Sequence, residues 1–230
     1  MDARSLEELE LSTVARLYAL ETQPALVAAV PPIAAADPAS TNAAPNAGWE
    51  QLRTLVAGCR ACGLCRQRKQ AVFGVGHESA PWLFVGEGPG ADEDEQGEPF
   101  VGQAGRLLDS MLAAIGCRRG REVYIANVVK CRPPGNRTPS AEEAQACAPY
   151  LDRQIELIAP RVIVALGKTA ATRLLATEAS LASLRGRVHR YRNIPVVVTY
   201  HPAYLLRSLP EKAKAWEDLV FARKTLAAAS

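Results

Sequence analysis

Aromatic side chains make up only 6% of this 230-residue chain, and no apolar run approaches the roughly 18 residues that a membrane-spanning helix needs. The opening stretch MDARSLEELEL has neither a basic n-region nor an apolar h-region, so a secretory signal is not expected and the chain reads as cytoplasmic. There is no internal repeat. The glycine-rich stretch at 86–90 is neither GxGxxG nor a Walker loop, and no Lys-Ser/Thr follows it, which disfavours a nucleoside-triphosphate site.

What remains is a chain that is 48% apolar, long enough for one α/β domain with a sizeable core plus an appendage. The net charge of +3 hides an asymmetry: residues 1–50 carry −5 and the rest +8. A moderate positive balance suits a domain that meets phosphate, although many metabolic enzymes are as basic. Apolar positions near helical spacing predict an amphipathic helix over Leu6–Leu20. Pro24–Asn46, rich in Ala and Pro, reads as a linker, so residues 1–47 are expected to be an appendage and 48–230 the folded domain.

Short apolar runs predict strands at Trp82–Val85, Val123–Val128, Val162–Leu166 and Val196–Thr199. Helical patterns lie between them at Ala104–Ile115, Ala141–Ile158 and Lys168–Leu175; the second is opened by a capping box of Ser140 and Glu143. The alternation predicts a three-layer αβα fold around a parallel-centred, four-stranded sheet. Ligands of such sheets bind at the carboxyl ends of the strands, which is where Gly86–Gly90, Asn127 and His201 fall.

Disulfides are not expected in a reducing compartment, so the six cysteines point to metal or redox use. Cys59 and Cys62 have the two-residue spacing that lets two thiolates bind from one turn, and Cys65 repeats it. Cys131 and Cys147 are far apart, and Cys117 stands alone in a helix-to-strand turn. A zinc ribbon needs a second close pair, which is absent. Widely separated cysteines closing one site suit an iron–sulfur cluster better, with zinc and incidental buried cysteines as the alternatives. Spacing does not decide between Cys59 and Cys65.

Among the loop residues, Glu87, Asp92, Glu93, Asp94 and Glu95 read either as a solvated acidic loop or as the source of a carboxylate that positions water at a reacting bond. Phe100 reads as a core residue or as an exposed ring that stacks on a base. His201 follows a strand, where a single His is more often structural. Two leucines after it read as exposed and able to wedge into a base stack, with packing as the plain alternative.

The segments CRAC, VFGVG, GEGPGADEDEQGEPFVGQAGRLLD, VYIANVVKCRPPGNRTP and HPAYLL, taken together and in order, resemble the family 4 uracil-DNA glycosylases, the iron–sulfur branch of that superfamily. The resemblance runs from about Cys59 to Val220. It implies a 4Fe-4S cluster on Cys59, Cys62, Cys131 and Cys147, with Cys59 preferred to Cys65 by its distance from the VFG segment. It also implies that Phe100 stacks on a flipped uracil, that Asn127 reads its polar edge and that His201 stabilises the departing anion. Where the better-known branch carries a water-orienting Asp, this chain has Gly88, and the resemblance implies that Glu87 and Glu93 serve the site, Glu93 alternatively by excluding the thymine methyl. The loop GNRTPS lacks the His by which a related branch traps DNA, which implies hydrolytic turnover. The implied activity is monofunctional excision of uracil from single- or double-stranded DNA. A non-catalytic, polymerase-associated module of the same fold is the alternative. The chain is expected to act as a monomer away from membranes, with residues 1–47 available to a repair or replication partner.

Overall fold

The computed structural model describes residues 44–228. The helix expected over Leu6–Leu20 and most of the linker lie outside the described residues. Ala44–Asn46 form a short 3-10 turn, and Ala44 and Ala47 are fully buried, so packing extends a few residues upstream of position 48.

A six-stranded sheet organises the rest: β1 (Val75–Gly76), β2 (Trp82–Gly86), β3 (Val123–Asn127), β4 (Val162–Leu166), β5 (His189–Tyr191) and β6 (Ile194–Thr199), in the order β1-β3-β2-β4-β6-β5. The central four are parallel and are the four expected strands, with ends shifted by up to two residues. The two edge strands pair antiparallel and extend the expected sheet from four strands to six. At two and three residues they are too short to show an alternating pattern.

The central strands are buried on both faces, and their alternation divides the core in two. Leu83, Val85, Ala126, Ile163, Ala165 and Val198 face the helices Trp49–Gly58, Ala141–Ile158 and Lys168–Leu175. Phe84, Ile125, Val162, Val164 and Val197 face Gln103–Ala114 and Glu211–Ala228. The result is the expected three-layer αβα arrangement. Helix Ala141–Ile158 has the expected bounds and cap: Glu143 N donates to Ser140 Oγ at 3.2 Å, and Ser140 N to Glu143 Oε2 at 2.8 Å.

Helix Glu211–Ala228 carries little amphipathic pattern and was not evident from periodicity. Its buried Asp218 pairs with Arg185 at 2.6 Å. Among the described residues, no helix is long and apolar enough to cross a membrane.

Candidate active site

The parallel register sets Gly86 beside Asn127 at the carboxyl ends of β2 and β3, and the turn after β6 brings in His201. Here a cleft of about 490 Å³ is lined by Glu87, Gly88, Glu93, Phe100, Asn127 and His201. The structure thus gathers the six residues that the resemblance places at the site into one concavity, whereas Asp92, Asp94 and Glu95 do not line it, and Asp94 is buried and accepts from Lys69 N.

Gly86 is what lets the Asn127 side chain and the Phe100 ring meet. A Cβ there would lie 2.4 Å from Asn127 Oδ1 and 2.6 Å from the Phe100 ring, so any side chain at position 86 must displace one or both. Asn127 is 2% exposed, and its Oδ1 is buried with no hydrogen-bond partner among the described residues. An orphaned buried acceptor is costly unless a ligand meets it. Its backbone carbonyl is held by Lys130 Nζ at 2.9 Å.

Phe100 is buried at 6% exposure, which selects the core alternative over the exposed ring. The space left by Gly86 admits it to the core edge, and its ring centroid lies 5.4 Å from that of His201. Its backbone sits in the left-handed region (φ 58), a conformation that needs external support in a non-glycine residue. Two side chains supply it. Glu93 Oε1 accepts from Val101 N (3.0 Å) and Gly102 N (3.2 Å) while Oε2 accepts from Gly90 N (3.0 Å). Arg119 donates to Phe100 O at 2.8 Å and Pro99 O at 2.7 Å. Both oxygens of Glu93 are therefore committed to backbone donors. Glu87 differs: its Oε2 accepts from the Thr169 hydroxyl, and Oε1 has no protein donor among the described residues. Gly88 packs closely too, since a Cβ there would lie 2.8 Å from Val129 Cγ2.

His201 Nδ1 accepts from Ala203 N at 3.2 Å, so the neutral ring carries its proton on Nε2. Burial, helped by the Arg207 charge, pushes its pKa down to about 4, and the ring is neutral at pH 7. Of the two leucines that follow, Leu205 is buried and Leu206 exposed, so only Leu206 meets the expectation of an exposed pair.

A second cavity is lined by Cys59, Cys62, Cys65, Cys131 and Cys147, with Arg68 and Lys130. Cys117 is elsewhere, in the core on the other face of the sheet. Three sulfurs receive donors: Cys59 Sγ from Ala61 N (3.5 Å), Cys131 Sγ from Arg68 Nη1 (2.8 Å) and Cys147 Sγ from Lys130 N (3.3 Å). As free thiols Cys131 and Cys147 are pushed up, by burial, to about 11 and about 12. Among the described residues, no three His, Cys, Asp or Glu side chains converge on a position for a single metal ion. Lys130 is 1% exposed, and among the described residues its ammonium reaches only Asn127 O and Gln154 Oε1 (2.6 Å), with no carboxylate. A buried cation without a counter-charge is unfavourable; thiolates around an iron–sulfur centre supply that negative charge, so the donor set fits such a group.

Sequence reasoning missed Gly86 as a spacer, Thr169 as the partner of Glu87, and Arg119. Thr169 stands just past β4, where the strand-end rule points. The side chains packed over Gly86 and the backbone carbonyls met by Arg119 leave no local signature.

The sequence profile of the uracil DNA glycosylase superfamily matches residues 73–220. The type-4 uracil-DNA glycosylase of Pyrobaculum aerophilum is 43% identical over 178 residues, covering 74% of this chain and 90% of that protein. That of Archaeoglobus fulgidus is 48% identical over 66% of this chain and 79% of its own length. That of Thermotoga maritima is 49% identical over 65% and 79%. With a profile spanning most of the fold and relatives this similar, the chain belongs to the uracil DNA glycosylase superfamily and, within it, to the type-4 family.

Proposed function

We propose that the cleft receives a uracil flipped out of DNA and hydrolyses its N-glycosidic bond, leaving an abasic site. The observation that carries this is the buried, unpartnered Oδ1 of Asn127 beside the Phe100 and His201 rings. Oδ1 accepts from uracil N3–H while the amide nitrogen donates to O4. Cytosine presents the reverse pattern and leaves both groups unmet. Phe100 stacks on the pyrimidine. As the C1′–N1 bond breaks, its electron pair passes to the base, and His201 Nε2–H donates to the charge gathering on O2. Water adds to C1′ of the oxocarbenium-like sugar, and the proton it gives up is taken by the departing uracil anion, leaving an abasic sugar and neutral uracil.

Glu87 is assigned as the carboxylate that orients this water, because its Oε1 is free to accept. Glu93 is assigned instead as the brace that holds the Phe100 turn, and Gly88 lets the backbone approach the nucleotide. A non-catalytic module would have no use for a buried acceptor left without a partner.

Cys59, Cys62, Cys131 and Cys147 are assigned to a 4Fe-4S cluster. Support comes from their shared cavity and from the buried Lys130 charge that has no carboxylate beside it. Cys59 is preferred to Cys65 because it is buried and its sulfur receives a backbone donor. When bound, the cluster would cross-link three chain segments and supply no step of the hydrolysis. The test is incubation of the protein with a uracil-containing oligonucleotide followed by alkali. Cleavage at the uracil position is expected; an intact strand overturns the proposal.

A further inference from the structure

We propose that Tyr204, which takes no part in the reaction above, is a stacking platform for an unpaired base next to the flipped uracil, so that the rim of the cleft favours single-stranded DNA. This rests on the reading of the cleft as a DNA site.

Tyr204 lines the cleft yet is 40% exposed. Its ring is stacked on Tyr200, with centroids 5.3 Å apart and planes 22° from parallel. The Arg185 guanidinium lies over Tyr200 at 4.7 Å from the ring centroid. Arg185 is itself fixed by Asp218 at 2.6 and 3.1 Å and by the Lys214 carbonyl at 2.7 Å. Tyr204 N also donates to His201 O at 2.9 Å, tying the ring to the catalytic turn.

A large aromatic side chain held this firmly, with much of its surface left in water, has already lost the freedom that binding would take from it. Its open surface offers apolar area to any base, whatever its identity. In a duplex the neighbouring bases are already stacked and paired. In a single strand the neighbour of a flipped nucleotide has a bare face, so Tyr204 adds most there. Arg207, also on the cleft wall, is placed to meet the adjoining phosphate.

The experiment measures fluorescence anisotropy with labelled oligonucleotides carrying a cleavage-resistant deoxyuridine analogue. They are used single-stranded and in duplex, with an ordinary nucleotide or an abasic spacer at each flank of the uracil. Tyr204→Ala should weaken single-strand binding about tenfold and duplex binding about twofold or less, while Tyr204→Phe retains wild-type affinity. A spacer at one flank should weaken the wild type by a similar factor and cost Tyr204→Ala nothing more. Equal losses on single strand and duplex, a Phe variant as weak as Ala, or fully additive spacer and Ala penalties would each overturn the proposal. Thermal melting checks that Tyr204→Ala is folded; if it is not, Tyr204→Leu is put through the same series and must show the same pattern. Wild-type excision on the matching ordinary-uracil strand is run alongside. Its absence removes the activity assigned to the cleft, whereas the coupling between Tyr204 and the flanking base is read from binding alone.

Discussion

The cleft and the cysteine cavity treat their polar atoms in opposite ways. In the cleft, Asn127 is held by its backbone while its side-chain oxygen has no partner among the described residues, and Glu87 likewise keeps one oxygen free. In the cavity, the sulfurs of Cys59, Cys131 and Cys147 each already receive an N–H donor, and Arg68 also binds the carbonyls of Ala57 and Cys59. An unmet acceptor in a packed wall marks where a substrate completes the bonding. Donors aimed at sulfur, with a buried cation close by, mark a place where negative charge is kept. Lys130 joins the regions, since its backbone serves Cys147 and its ammonium serves the carbonyl of Asn127.

The largest effect expected from breaking this contrast is at Asn127. Asn127→Asp replaces the donor to O4 with an acceptor and should lower kcat/KM on uracil DNA by on the order of 10⁴-fold; steady-state kinetics with uracil and cytosine strands reads it. The two glutamates sharpen the cleft side. Glu87→Gln should cut kcat by about 10²–10³-fold with little change in melting temperature. Glu93→Gln keeps one acceptor oxygen for three backbone donors, so it should lower the melting temperature and weaken kcat less. The reverse ordering in single-turnover rates and thermal melts would reverse the two assignments.

On the cavity side, Cys131→Ser should lower iron content and melting temperature together, whereas Cys65→Ser should leave both near wild type; iron analysis and calorimetry decide. The smallest effect concerns pH. The His201 pKa falls from 6.5 to about 4 on folding, so between those values the unfolded chain binds more protons than the folded one. Its contribution to stability therefore rises as pH increases through that window. The wild-type melting temperature should drop more than that of His201→Gln on going from pH 7 to pH 4.5.

Much of this was legible in the sequence, and the parts that were not share a physical cause. The four central strands and helix Ala141–Ile158 announce themselves through apolar runs and a cap, signals carried by consecutive residues. Asn127 and His201 were found because strand ends in parallel sheets are where ligands bind. Phe100 was left open between core and surface because its burial depends on a missing Cβ at Gly86, on a strand that only register brings near. Glu93 was grouped with Glu87 because its partners are backbone amides of Gly90, Val101 and Gly102, which have no residue type to read. The edge strands were missed because two or three residues cannot show a period.

Gly86 has a consequence for how this site can change over generations. Lineages can exchange one apolar residue for another along the sheet, since a core tolerates swaps of similar volume. At position 86 there is no residue smaller than the one present, and the next smallest already intrudes on Asn127 and Phe100 together. Drift at that position therefore has no neutral neighbour to step to. A descendant that loses this glycine would have to refashion the reader and the ring at the same time.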